Sequence, residues 1–340
     1  MPPEARILGL GAELPGRGVS NAELAGSLGT DGEAIARRSG VEWRYHASPG
    51  EGPSDLALRA AQGALAEAGT SAADLGLIVF ATATPDVCFP GAACFLQHKL
   101  GAPTVGSIDV RAQSAGFLCA LDFATAYASV PAKPRSDAGD PRYAHVLIAA
   151  GEVISSGLDR SPNGVELTPR FGDGVAVAVV GWAERGARVR ALHWYTDGSL
   201  AERFWCEYPA SRRYPMRVTV ENLRAGQHYP RADLGGLAAT VADRLVDAGR
   251  AALKTAGLEA REIDAALVDY VDPAVARSAA TALDIRPERL SVPTAEFGHV
   301  MAGGLPIGLD RRRRELGAGA RVLLAAAGPG LSWGAAVLEL

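Results

Sequence analysis

Cysteine is scarce: the 340 residues hold four, Cys88, Cys94, Cys119 and Cys206, with no CxxC pair and no zinc-ligand spacing. That excludes a disulfide scaffold and a structural zinc site, and implies a reduced, metal-free, intracellular chain, expected in the cytoplasm. Long apolar runs are missing too. None reaches the roughly 20 residues of a membrane-spanning helix, and the opening Met1-Pro2-Pro3-Glu4-Ala5-Arg6 does not read as a signal peptide. Nor does one sign of charge dominate, since 34 Lys and Arg stand against 38 Asp and Glu for a net −4. The chain has no global attraction for nucleic acid or an anionic membrane. What is left is an ordinary globular composition, 48% hydrophobic and 21% charged, long enough for one large or two medium domains.

In order, Arg6–Gly11 reads as a first strand turned by Leu14-Pro15-Gly16. Asn21 is expected to cap a short helix through Leu24 and Leu28. A second short helix ends at Arg37-Arg38-Ser39-Gly40, and Ser54 opens a longer one that stops at Gly69. Leu77-Ile78-Val79-Phe80-Ala81 is a buried strand. The same pattern returns 188 positions later without a gap: Ala66–Gly69 over Lys254–Gly257, and Leu77–Pro85 over Ala265–Pro273. Each copy then runs through a helix to a junction of small residues, Ser114-Ala115-Gly116 and Met301-Ala302-Gly303. This predicts an α/β protein of two duplicated halves packed face to face. The boundaries are 1–182 for the first half, 183–235 for a connecting insertion, and 236–340 for the second half. The insertion carries Trp194, Phe204, Trp205, Tyr208, Tyr214 and Tyr229 without clear period, and is expected to close over a substrate or to cover the core.

The stretch Val110–Phe117 organises the chain. It follows the strand-like Ser107-Ile108-Asp109 and precedes the helical period of Leu118–Ala124. A hydroxyl at such a strand-to-helix junction faces free backbone N–H groups and the positive end of the helix dipole, which suits a nucleophile whose attack creates an oxyanion.

These residues resemble the thiolase-fold β-ketoacyl-ACP synthase III family along nearly the whole chain. The resemblance rests on Gly9-Leu10-Gly11 with Leu14-Pro15 and Asn21, Arg38-Ser39-Gly40-Val41, and Asp109-Val110-Arg111 before Ala115-Gly116-Phe117. It continues through Gly151-Glu152, Phe171-Gly172-Asp173-Gly174 and Trp333-Gly334. It implies a thiolase-like five-layered αβαβα homodimer whose tunnel delivers a thioester to a nucleophile. In that frame the family's catalytic cysteine falls on Ser114, its histidine on Asp269 and its asparagine on His299, so Cys-His-Asn becomes Ser-Asp-His. Serine needs an adjacent base where a thiol needs little help, and an imidazole steadied by a carboxylate provides one. The expected triad is Ser114 as nucleophile, His299 as base then acid, and Asp269 as orienter, with Asp272 in reserve. The contacts are expected at roughly 2.6–3.2 Å.

Loss of the two groups that support an enolate in the family, together with a carboxylate at 269 that would repel malonyl, argues against carbon–carbon bond formation. The expected activity is transfer of an acyl group from an acyl carrier protein or CoA thioester, through an acyl-Ser114 ester, to a small hydroxyl or amine acceptor in secondary-metabolite biosynthesis. The thioesters are substrates, and no cofactor is expected. The alternatives are a starter-unit synthase that condenses with malonyl-ACP, and a catalytically degenerate partner subunit. The Ser114 amide is one expected oxyanion donor. The second falls on a loop reading Gly328-Pro329-Gly330, where proline has no N–H, so Gly330 is the candidate to assist. Arg38 is a candidate contact for the thioester donor. The family's adenine-stacking tryptophan falls on Ala34, which favours a carrier-protein donor over free CoA.

The other groups have plainer readings. His46, His98, His145, His193 and His228 are surface or core histidines, and Cys119 is packing. Phe171–Gly174 is a structural turn. Arg311–Arg314 is a solvated helix face, with docking of an acidic carrier protein as its functional alternative.

Overall fold

The computed structural model describes residues 4–129 and 145–340. Ten of its strands form one large sheet, and two small two-stranded sheets lie outside it. The first five are β1 (Glu4–Glu13), β2 (Leu75–Ala81), β3 (Gly106–Val110), β4 (His145–Glu152) and β5 (Gly174–Ala183). The second five are β6 (Ala187–Thr196), β7 (Ala265–Asp269), β8 (Leu290–Ser291), β9 (Arg321–Gly328) and β10 (Ser332–Glu339). Their order is β3-β2-β4-β5-β1-β6-β10-β9-β7-β8. Read outward from the centre, the two sets have the same order. Each has a parallel outer trio and antiparallel inner strands. The sets touch where Arg6 and Ile7 of β1 pair with Arg188 and Ala187 of β6.

Strands such as Val146–Ala150 and Val322–Ala327 are buried on both faces, which is why they read as unbroken apolar runs. Successive side chains point to opposite faces, so each strand feeds two cores. Ile78 and Phe80 pack under α1 (Pro53–Ala68) and α2 (Ala92–Lys99), whereas Val79 and Ala81 face α3 (Gly116–Ala128). In the second half Ala266 and Val268 pack on α4 (Leu234–Ala256) and α5 (Pro273–Ala282), while Leu267 faces inward toward α6 (Gly304–Arg312). The α3 and α6 side chains Phe117, Leu118, Leu121, Leu305 and Leu309 share one core with strands of both sets. The layers are therefore helix, sheet, helix, sheet, helix: the five-layered αβαβα arrangement.

The 188-residue offset holds in backbone detail. Gly69 and Gly257 end α1 and α4 as left-handed caps at φ 66° and 67°. The short turns Gln113–Ala115 and Met301–Gly303 precede α3 and α6. Gln113 and Met301 are both held at positive φ, 47° and 42°. The copies meet where Gly116 faces Ala302. A Cβ on Gly116 would lie 3.1 Å from the Ala302 Cβ and 3.2 Å from that of Ala81, tighter than ordinary van der Waals contact.

Two local expectations need correction. Asn21 is the first residue of its helix rather than its cap. Ser20 accepts from the Glu23 amide, and the Asn21 amide group instead bonds Val41 O and the buried Arg44 guanidinium. The segment 183–235 is not all excursion, because 187–196 is a sheet strand paired with β10. The excursion proper follows it. Residue 236 falls inside α4, whose start is fixed at Asp233 by acceptance from the Gly236 amide (2.9 Å).

Candidate active site

Ser114 sits in the tight turn between β3 and α3, fully buried. Its hydroxyl is crowded by the end of β9. A Cβ on Gly328 would collide with Ser114 Oγ and come within 2.9 Å of its Cβ and 3.0 Å of its N. The turn lies at the start of a helical run, where backbone N–H groups have no intrahelical acceptor.

His299 comes from the matching junction of the second copy, two residues before Met301. Its backbone is held on both sides, with His299 N donating to Arg170 O (2.7 Å) and Gly172 N donating to His299 O (3.2 Å). The Phe171 ring packs against the imidazole at 5.5 Å. Gly298 at φ 84° lets the chain pass Arg44 and Gly172 without collision. So held, His299 Nε2 lies 3.2 Å from Ser114 Oγ.

Asp269 ends β7 behind the imidazole, with its Oδ2 3.4 Å from His299 Nδ1, within ion-pair reach, although Oδ2 has no hydrogen bond. A fourth residue fills the gap. Thr294 donates to Asp269 Oδ1 from both its backbone N (3.1 Å) and its hydroxyl (2.7 Å), and its Oγ1 lies 2.8 Å from His299 Nδ1. A carboxylate only accepts, so the threonine proton points at Asp269 and Oγ1 is left to accept from Nδ1–H. Nε2 then keeps its lone pair toward Ser114. Ser114, His299, Thr294 and Asp269 are all fully buried, so these contacts act in a low-dielectric setting. Sequence reasoning missed Thr294. Only its place after Pro293, five residues before His299, marks it. The carboxylate stands behind the imidazole rather than facing the acyl site, so direct repulsion of a malonyl group by Asp269 is not what the geometry provides.

A cavity of about 650 Å³ opens beside this group. Gln113, Phe171, Met301, Pro329 and Gly330 line it next to the site, and Trp205 and Tyr208 of the excursion form another wall.

Residues 108–198 match the family described as 3-oxoacyl-(acyl-carrier-protein) synthase III, and residues 253–340 match its C-terminal part. The chain is 32% identical to the β-ketoacyl-(acyl-carrier-protein) synthase III of Rhodobacter capsulatus over 98% of each chain. It is also 32% identical to that of Xylella fastidiosa strain 9a5c, again over 98% of each. Among solved structures, the synthase III of Aquifex aeolicus superposes at TM-score 0.83 with 28% identity, covering 99% of this chain and 100% of its own. The priming β-ketosynthase of the R1128 polyketide pathway does so at 0.84 with 26% identity, covering 100% and 98%. The chain belongs to the β-ketoacyl-ACP synthase III family.

The other candidate residues sit as follows. Asp272 caps α5 by accepting from Ala274 N (2.9 Å) and lies 3.6 Å from Arg170, so it is not behind the imidazole. Arg38 pairs with Glu166 at 3.3 Å on the surface, outside the cavity lining. Gly330 lines the cavity, and a Cβ there would collide with Ser332. The four arginines 311–314 are occupied within the fold. Arg311 lies over the Phe297 ring and Arg312 pairs with Glu315. Arg313 binds Glu67, Asp310 and Leu10 O, and Arg314 binds Asp310. Burial, with Asp122 nearby, pushes the Cys119 thiol up to about 11, which leaves it inert. Asp173 is a buried acceptor for Ile154 N, Ser155 and Ala47 N, a structural role. His228, read from sequence as a bystander, lines the cavity with its ring packed on Tyr229.

Proposed function

We propose that this chain is an acyltransferase working through an ester on Ser114. The family acts on acyl-ACP or acyl-CoA thioesters. The observation that carries the reading is the buried chain Ser114–His299–Thr294–Asp269. Ser114 Oγ attacks the thioester carbonyl while His299 Nε2 takes its proton, and Thr294 and Asp269 hold Nδ1–H in place. Collapse of the tetrahedral adduct breaks the C–S bond, and the thiolate leaves with the proton from His299. A hydroxyl or amine acceptor then attacks the ester, His299 takes the acceptor's proton, and that proton returns to Ser114 Oγ. No enolate is needed at any step.

Intact-mass measurement after incubation with acyl-loaded carrier protein or acyl-CoA tests this. One acyl increment on wild type, absent in Ser114→Ala, is the expected result. An increment that persists in Ser114→Ala would sink the reading. Decarboxylative condensation is the second reading, favoured by whole-length similarity to proteins named as β-ketoacyl synthases. It predicts release of labelled CO₂ from malonyl-ACP, which the acyltransferase reading does not. A non-catalytic partner subunit would lose nothing in His299→Ala.

A homodimer completes the proposal. The edge strand β3 carries Ile108 46% exposed, and Phe89, Phe123 and Tyr127 are also exposed. Such an edge is a template for pairing with a second copy. Light scattering that gives a dimer mass would agree.

A further inference from the structure

The tetrahedral adduct on Ser114 needs hydrogen-bond donors at its oxyanion, and the backbone around it is short of them. The Ser114 amide is one. The loop that follows β9 presents proline at its centre, residue 329, and proline has no N–H.

Beside the nucleophile stands an amide with nothing to do. Gln113 Oε1 is buried without a hydrogen-bond partner. Among the described residues the Gln113 side chain makes no hydrogen bond to any other, and its NH₂ is not among the buried unpaired atoms. Gln113 lines the cavity, and the NH₂ is the accessible end of its amide. An unpaired buried carbonyl weakens a fold, and a native one calls for an explanation. The turn itself does not demand an amide. Its twin 188 residues on holds Met301 at nearly the same positive φ against the same cavity. The polar group at 113 is therefore a property of the nucleophile's copy alone.

We infer that the Gln113 side-chain NH₂ is the second oxyanion donor, standing in for the N–H that Pro329 cannot give. Gln113 is then a catalytic residue, bonding the carbonyl oxygen as it gains charge on attack by Ser114. This rests on the acyl-Ser114 reading, and the experiment separates the two. Single-turnover acylation is followed by intact mass with acetyl-CoA and with acetyl, propionyl and butyryl thioesters of N-acetylcysteamine. The proteins are wild type, Ser114→Ala, Gln113→Met and Gln113→Glu. Methionine is what the twin turn carries, and glutamate keeps the shape without donors. Removing one oxyanion donor slows acylation roughly 10²–10³-fold. That loss is expected in both Gln113 variants, in the maximal rate, with half-saturation shifted less than about threefold as for a group that acts on the transition state. If wild type is acylated and the Gln113 variants match it, or lose only affinity, the oxyanion assignment fails and the acyl-serine reading stands. If no thioester acylates wild type, or Ser114→Ala is acylated as well, the acyl-serine reading fails and the assignment falls with it.

Discussion

The Thr294 hydroxyl lies 2.8 Å from His299 Nδ1 and 2.7 Å from the Asp269 carboxylate, so the imidazole is oriented through an alcohol rather than by the acid alone. Only one proton arrangement lets all three partners bond, and it leaves Nε2 free to take the Ser114 proton. Asp269→Asn reverses it. The amide oxygen keeps the Oδ1 place, which accepts from Thr294 N and Oγ1, so the NH₂ takes the Oδ2 place facing Nδ1; there it donates to Nδ1, and the imidazole then carries its proton on Nε2. Acylation should fall by on the order of 10³–10⁴, as expected for a wrong tautomer. Thr294→Val should lose only ~10-fold, about the worth of one hydrogen bond, because Asp269 Oδ2 waits 3.4 Å from Nδ1. Thr294→Ser should be near wild type. Single-turnover rates for the three variants check the order.

Gly328 is where β9 brushes the nucleophile. Gly328→Ala puts a methyl group into Ser114 Oγ and within 3.0 Å of its amide N, displacing the hydroxyl from His299. Acyl-ester formation should drop at least ~10²-fold, the scale of an ångström misplacement. Circular dichroism should still show the native fold.

Two buried groups pull stability in opposite directions with pH. Burial, with Arg160, Arg44 and Arg17 nearby, lowers His46 to about 4. Between about pH 4 and 6.5 the unfolded chain therefore binds more protons there, and stability rises with pH. Burial raises Glu152 to about 7, against the donors Thr84, Ala83 and Thr82. Between about 4.5 and 7 the folded chain binds more protons there, and stability falls with pH. Each effect is about 3 kcal/mol, so they largely cancel in the wild type. Urea titrations should show Glu152→Gln gaining on wild type as pH rises from 4.5 to 7 and His46→Gln losing ground from 4 to 6.5. Flat differences across both windows would refute the account.

The arginine run should divide by partner. Arg313 ties α6 to α1 and β1 through Glu67 (2.9 Å) and Leu10 O (2.8 Å), and also holds Asp310. Arg313→Met should cost about 2 kcal/mol in urea unfolding, as for hydrogen bonds to charged groups. Arg312→Met, which loses a surface pair with Glu315, should cost under ~1 kcal/mol.

The sequence made the duplication visible because the caps, turns and buried strands recur at one spacing. Ser114 stood out by its place at a strand-to-helix junction, whereas Asp269 and His299 came from the resemblance, since they fall on the family's histidine and asparagine positions. Thr294 stayed hidden because a lone hydroxyl has no pattern, and its role exists only once β7 and the 293–297 helix are side by side. Strand β6 was missed for a different reason. Arg188-Val189-Arg190-Ala191 alternates as a half-wetted strand does, and the aromatic residues after it masked that period.

The meeting of Gly116 with Ala302 at the centre of the middle layer has a consequence for the chemistry. Neither repeat owns a complete reaction centre. The alcohol is delivered by one and the imidazole by the other, and the gap between them is set by how the paired central helices seat together. Any change that lets one repeat slide on the other, however remote from the cavity, is felt first as a lengthened proton jump.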